Sequence, residues 1–481
     1  MRLSGLVEKD TESPPAPAPP KSDSPPKRRD RHLYQLDLVR LVTFAAVILD
    51  HVMLGVIPLT NVAAGGIEIF LRYSRYSFFA LTGFVLGYQY RNRDLDTLAF
   101  WRRRFKLIGI PYVAWTLFYW VYSRYRVGGW DDVWNTIDSG EHLLVTAKSL
   151  AYDLVTGNAW YHLYFLFVSM QIYLVFPAVL WVLKRTWGYH RYLLLASGAF
   201  HAVLLFGMLR PPLGVLQHGP QGEVWSHLLV TILPYQFFVL SGCIAALHFE
   251  AFHAFLKRYR VASFAIGIAV MAATLGYYLY RIDSGEEMFR ATNVFVLHNA
   301  FAYVAIIVIL YGLGSIWQER RNPGSVADRF LKTAADRSFG IYLAHGLALE
   351  ELMDIVHAHP TWAVWPTMLL TYLGTAVLTV FIVEVLRRSP ISLMTTGRDA
   401  LPAAGQRPWR LVGVGLTGMV VGSAIRLVFD LRVGDLTALV GAVLIATAAW
   451  VAVRQRTAAS IDGAGAADSE LTVAEKVVAE S

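Results

Sequence analysis

Apolar runs of about twenty residues recur along this chain from Leu36 nearly to Arg456, and that recurrence constrains the fold more than any other feature. A bilayer core of about 30 Å holds no water to satisfy open backbone groups, so a segment that crosses it as a helix needs roughly 20 apolar residues. Twelve runs meet that description, beginning near Leu36, Gly65, Arg104, Trp160, Tyr192, Leu228, Val261, Val294, Ser338, Trp362, Trp409 and Asp435. With 55% hydrophobic residues and a mean hydropathy of +0.43, the chain carries more apolar surface than one soluble core can hide. The expected fold class is all-α, a polytopic membrane helix bundle, with an amphipathic stretch from Glu141 to Val155 lying at the membrane surface.

Charge supports the same layout. Lys and Arg accumulate on the cytoplasmic side of membrane proteins, and alternate loops here hold 22 basic residues on one side against 7 on the other. Residues 1–33 contain "ESPPAPAPPKSDSPPKRRDR", too rich in proline and charge to bury a core, and residues 456–481 are small, polar and acidic. Both are expected to be disordered cytoplasmic tails. The net charge of +8 is spread over short clusters between apolar runs, so no nucleic-acid partner is read from it. Cys243 is the single cysteine, which excludes an intrachain disulfide and any CxxC site.

The first run, "LDLVRLVTFAAVILDHV", carries Asp37, Arg40, Asp50 and His51. Ionisable groups inside a span are costly and point to function by default. Eleven steps of about 100° bring a helix back to within roughly 20° of the same face, some 16 Å further along, so Arg40 and His51 share one groove at two depths. A guanidinium suits phosphate oxygens and a desolvated imidazole accepts a proton, which together suit a long phosphorylated donor entering from the cytoplasm. A bundle in which Asp37 pairs with Arg40 and His51 simply finds a hydrogen bond remains an alternative for this helix alone.

Four further segments sharpen the reading. They are "RYSRYSFFALTGFVLGYQYR" with Arg72 and Thr82, "WRRRFKLIGIPYVAW" with Arg103, Arg104 and Lys106, "WYHLYFLFVSMQIYLVFP", and "RSFGIYLAHGL" with His345. With the first run, these resemble, in order, the motifs of acyltransferase family 3, a family of integral membrane O-acyltransferases in the transmembrane acyltransferase superfamily. The departures are Leu107 where a basic residue is usual and no glutamate near Ser169.

The resemblance implies a ten-helix acyltransferase core within residues 34–390, followed in residues 391–455 by two extra C-terminal transmembrane helices. It also implies transfer of an acyl group, most often acetyl, from acetyl-CoA or another acyl-CoA to a hydroxyl of an envelope carbohydrate or glycolipid. His51 and Arg40 are then the catalytic residues, with His51 as base and Arg40 at the donor phosphates. Arg72, Arg103, Arg104 and Lys106 bind the CoA, and His345 and Thr82 serve the acceptor or the oxyanion. The partners are acyl-CoA, the acceptor and the lipid bilayer; no permanently bound cofactor is expected. No G-x-S-x-G elbow and no H-E-x-x-H motif is present, so neither a serine nucleophile nor a metal site is read. The competing class is a transporter or flippase for a glycan or lipid intermediate, because intramembrane Arg and His line such pathways too.

Overall fold

The computed structural model describes residues 32–209 and 219–479; most of the proline-rich first segment lies outside the described residues. The compact unit begins at Tyr34. Its first seven helices are α1 (Tyr34–Val56), α2 (Val62–Leu71), α3 (Tyr73–Tyr90), α4 (Thr97–Asn135), α5 (Gly140–Thr156), α6 (Tyr164–Arg185) and α7 (His190–Leu209). Then come α8 (Gly219–Ser226), α9 (Gln236–Leu247), α10 (Phe249–Arg258), α11 (Arg260–Asp283), α12 (Met288–Ala291) and α13 (Leu297–Arg320). The last five are α14 (Val326–Ala358), α15 (Val364–Arg388), α16 (Ser392–Thr396), α17 (Pro408–Phe429) and α18 (Val433–Ala479).

Among the described residues, eight helices are long and apolar enough to cross a membrane: α1, α6, α7, α11, α13, α15, α17 and the Val433–Ala458 part of α18. A ninth span results if Gly222–Val230 and Leu233–Leu247, bent by 45°, are taken together. The other three expected runs fall on α2 with α3, on α4 and on α14, where Arg72 and Arg75, the basic cluster from Arg102 to Lys106, and acids from Glu350 to Asp354 interrupt the apolar pattern. The protein is therefore an all-α, multi-pass membrane bundle. Beyond Arg456, where the sequence reads as a loose tail, α18 continues to Ala479, in a stretch rich in Ala, Glu and Val.

Local chemistry sets the helix ends that matter for the site. The carboxylate of Asp96 accepts from the Ala99 amide (3.1 Å) to open α4, and the Ser325 hydroxyl accepts from the Asp328 amide (3.2 Å) to open α14. Gly157, at φ 75°, closes α5 in the left-handed conformation that a side chain disfavours. The connection from Asn158 to Leu163 then folds back over the bundle before α6 begins.

α1 is the hub, packed against α3, α13, α14 and α15. Its pairing with α3 is antiparallel: Thr43 meets Ser77 (3.2 Å between hydroxyls) and the Phe44 ring lies 4.5 Å from Phe78, while Arg40 shares a pocket with Leu86. α14 runs parallel to α1, with Ser338 beside Arg40, Tyr342 beside Phe44 and His345 beside His51. α3 is clamped in turn by α9. A Cβ on Gly83 would sit 2.2 Å from the Val239 carbonyl oxygen, and one on Gly242 would sit 2.0 Å from that of Ala80, so only glycine permits this backbone approach.

Candidate active site

Arg40, half-buried on α1, opens a cavity of about 160 Å³ whose wall includes Thr82, Arg104, Tyr173 and Ser338. Arg104 is held in place from α4, donating to the Gln89 side chain (2.8 Å) while its guanidinium lies over the rings of Phe100 (5.7 Å) and Tyr173 (5.6 Å). Asp37, Arg398 and Arg104 all lie within electrostatic range of Arg40. Arg398 is paired with Asp336 (3.1 Å), and Arg40 and Arg104 against Asp37 leave this pocket positive, the chemistry that binds phosphate with charge-assisted hydrogen bonds. Of the predicted cytoplasmic basic residues, the structure thus brings Arg40 and Arg104 together. Arg103 and Lys106 are exposed on α4 and do not line the cavity.

Toward the bundle centre the cavity is bounded by a collar of aromatic rings. Phe44, Phe78 and Tyr342 come from three helices, with ring centroids 4.5 Å (Phe44 to Phe78) and 6.3 Å (each to Tyr342) apart. Beyond the collar lies a cluster of three histidines. The His51 ring stacks on His345 (5.4 Å, 24°) and packs against Tyr161 at 4.7 Å, and His345 lies 4.7 Å from His162. Among the described residues no group of three or more His, Cys, Asp or Glu is arranged to hold a metal ion.

His345 is fully buried, and its Nδ1 donates to the Tyr342 carbonyl at 2.6 Å. A carbonyl only accepts, so in the neutral ring the proton sits on Nδ1 and Nε2 is a bare lone pair; Nε2 has no protein partner. The turn that carries His345 is braced from α4, where the Tyr119 hydroxyl donates to the Leu343 carbonyl (2.8 Å) and accepts from the Leu347 amide (3.0 Å).

Arg72 sits elsewhere. It pairs with Glu68 one turn back (3.1 Å), donates to the Thr292 carbonyl, and with Arg75 lies within electrostatic range of Asp50. Because α3 is antiparallel to α1, this places Arg72 near the level of His51, about 15 Å from Arg40 along the helix axis. Its guanidinium is committed to Glu68 and a backbone carbonyl and is not part of the Arg40 pocket, so the expected grouping of Arg72 with the CoA residues is not what the fold assembles. Glu350, Asp354 and Glu351, acids that follow His345, are engaged by Arg126 (2.9 and 2.6 Å) and by the Tyr122 hydroxyl (2.5 Å).

Several residues of this site escape the sequence reading. His162, which the sequence reading does not nominate, joins His51 and His345; Trp160 and Tyr161 come with it; Ser338, Tyr342 and Arg75 complete the walls. A signal existed in "NAWYH", an aromatic and polar run in a loop directly before a span, where binding residues concentrate.

No curated protein and no solved structure matches the chain. A family model for an acyltransferase domain, however, matches residues 33–385, which include α1 through most of α15 and every residue placed above at the Arg40 pocket, the collar and the histidine cluster except Arg398. The chain therefore belongs to acyltransferase family 3, a family of transmembrane acyltransferases.

Proposed function

We propose that this protein is a membrane O-acyltransferase that moves an acetyl group from cytoplasmic acetyl-CoA to a hydroxyl of an envelope carbohydrate or glycolipid. One observation carries the reading: α1 and α14 run side by side so that Arg40, Phe44 and His51 face Ser338, Tyr342 and His345, a positive pocket separated by one aromatic layer from buried imidazoles. Arg40 and Arg104 hold the donor's phosphates, Arg103 and Lys106 on the exposed rim raise the local concentration of the anionic donor, and the thioester end reaches past the collar. His51 takes the proton from the acceptor hydroxyl as its oxygen attacks the thioester carbonyl. Arg72, held by Glu68, keeps the wall beside Asp50 in place. The histidine cluster lies beyond the midplane of α1 from its amino end, which suits an acceptor that arrives from the outer side while the donor stays inside.

In this reading the core has ten spans, counting α3, α4 and α14, and α17 and α18 are two additional ones, with both ends of the chain in the cytoplasm. The test is label transfer from radiolabelled acetyl-CoA in membranes that contain the whole protein and its native envelope acceptors. Equally expressed His51→Ala should abolish label in glycan or lipid, and Arg40→Ala should require far more donor. If neither acetyl-CoA nor His51 matters to any transfer while a glycan or lipid still crosses the membrane, a transporter replaces the enzyme.

A further inference from the structure

We propose that Trp160 and His162 supply the two hydrogen-bond donors that hold the oxyanion in this reaction, an inference that rests on the acyl-transfer reading above. The buried groups around His51 differ in what each has left to offer. The neutral His345 ring has spent its one N–H on the Tyr342 carbonyl. Neither nitrogen of His162 makes a hydrogen bond of ordinary geometry, the Leu343 carbonyl being its nearest acceptor, so its neutral ring retains one N–H and one lone pair for a ligand. Trp160 Nε1 is buried and makes no hydrogen bond of ordinary geometry either, the Tyr161 hydroxyl being its nearest acceptor, and an indole N–H can only donate. Two unspent donors therefore stand beside two unspent acceptors, all of them out of reach of bulk water. Buried donors without acceptors destabilise a fold, and their recurrence in one small cluster points to a ligand that completes them.

Both donors are held by the fold. His162 is 2% exposed, and its backbone carbonyl accepts from the Tyr342 hydroxyl. The Trp160 ring stacks on Tyr119 at 5.0 Å, the same Tyr119 that braces the His345 turn. Gly346 provides the room: a Cβ there would lie 2.8 Å from His162 Cε1 and 3.0 Å from Trp160 Nε1. Donors fixed before the reaction begins are what an oxyanion requires.

The step then balances as follows. His51 removes the acceptor's hydroxyl proton while that oxygen bonds to the thioester carbon, and the carbonyl electron pair moves onto its oxygen, which accepts from Trp160 Nε1–H and the His162 N–H. When the carbonyl re-forms, the C–S bond breaks, its electron pair leaves on sulfur, and the proton passes from His51 to the CoA thiolate. The sequence reading nominates Thr82 and His345 for the acceptor or the oxyanion. Thr82 lies in the Arg40 pocket, and the bare Nε2 of His345 has no proton to donate, so His345 serves instead as an acceptor toward a substrate hydroxyl.

The test uses the whole protein in membranes with native acceptors and radiolabelled acetyl-CoA at varied concentration. Trp160→Phe keeps the ring and removes the N–H; its maximal rate should fall on the order of 10²-fold with the apparent KM for acetyl-CoA unchanged. His162→Gln, which retains a donor, should keep within about tenfold of the parent rate, whereas His162→Phe should lose about as much as Trp160→Phe. An active parent whose Trp160→Phe and His162→Phe variants keep their maximal rate overturns this assignment alone, as does a His162→Gln variant as slow as His162→Phe. A parent that transfers no acetyl overturns the acyl-transfer reading, and this assignment with it. Should Trp160→Phe fail to accumulate, the contrast between Gln and Phe at position 162 decides.

Discussion

Two arginines of the same predicted role separate by what they touch. Glu68 is 5% exposed and depends on Arg72, so Arg72→Ala leaves a buried charge uncompensated, at a cost of about 3–5 kcal/mol. The expected outcome is a large drop in the thermal midpoint of the purified protein. Arg104 leans on aromatic faces and a neutral amide, so Arg104→Gln should melt near the parent while raising the apparent KM for acetyl-CoA roughly tenfold, the loss of one charge-assisted bond to phosphate. Equal melting losses for the two would refute this division. At the start of α14, Asp328 accepts from the Gly324 amide (2.9 Å), Arg321 (2.7 Å) and Lys332 (3.0 Å), which holds its carboxyl well below the usual carboxylate range. A depressed folded value means that its stabilisation is complete above the unfolded value of about 3.9 and is lost as pH falls through the folded one. Asp328→Asn should therefore melt lower than the parent at pH 7, and the gap should close below about pH 4. A gap that stays constant with pH would show that the ionised carboxylate is not what matters.

Between helices, the contacts that set distances are made by small residues. The crossing of α3 and α9 has backbone against backbone at Gly83 and Gly242, so Gly242→Ala forces a methyl onto the Ala80 carbonyl, an atom with no rotamer to yield. Overpacking costs about 1–3 kcal/mol even where side chains can move, and here the helices must separate, so little folded protein should accumulate. Gly413 on α17 offers the control: a Cβ there meets nothing within 4 Å, and Gly413→Ala should be neutral or stabilise by about 0.5–1 kcal/mol. Detergent-extracted yield and thermal midpoint of the two variants check both. The same logic explains "LTGF": its glycine is a packing residue, and the threonine before it is the one that lines the Arg40 pocket. Helical spacing could order these residues along α3. It could not tell which face met α9, because the partner helix is more than 150 residues away in the chain.

At the level of the whole bundle, the loop charges predict which side each connection faces, and cysteine labelling tests it. Cys243 is fully buried, so a Cys243→Ser background carries no background label. On that background Pro323→Cys, between α13 and α14, should react with a membrane-impermeant maleimide only after the cells are opened, while Ser284→Cys, after α11, should react in intact cells. The reverse pattern would invert the protein and with it the side from which acyl-CoA enters. Helical character, the multi-pass layout and the shared face of Arg40 and His51 were legible from the chain because periodicity and hydropathy are local: they depend only on residues within one helix. The position of Arg104 in a basic cluster near the start of α4 was legible for a related reason. The separation of Arg72 from the Arg40 pocket, the pairing of Arg126 with the acids after His345, and the arrival of Trp160 and His162 beside His51 were not. These depend on the direction in which α3 returns past α1, on a loop folded over α14 from about 180 residues away, and on glycines that let backbones touch. Contacts of that kind are set by packing between helices distant in sequence, and helical period carries no information about them.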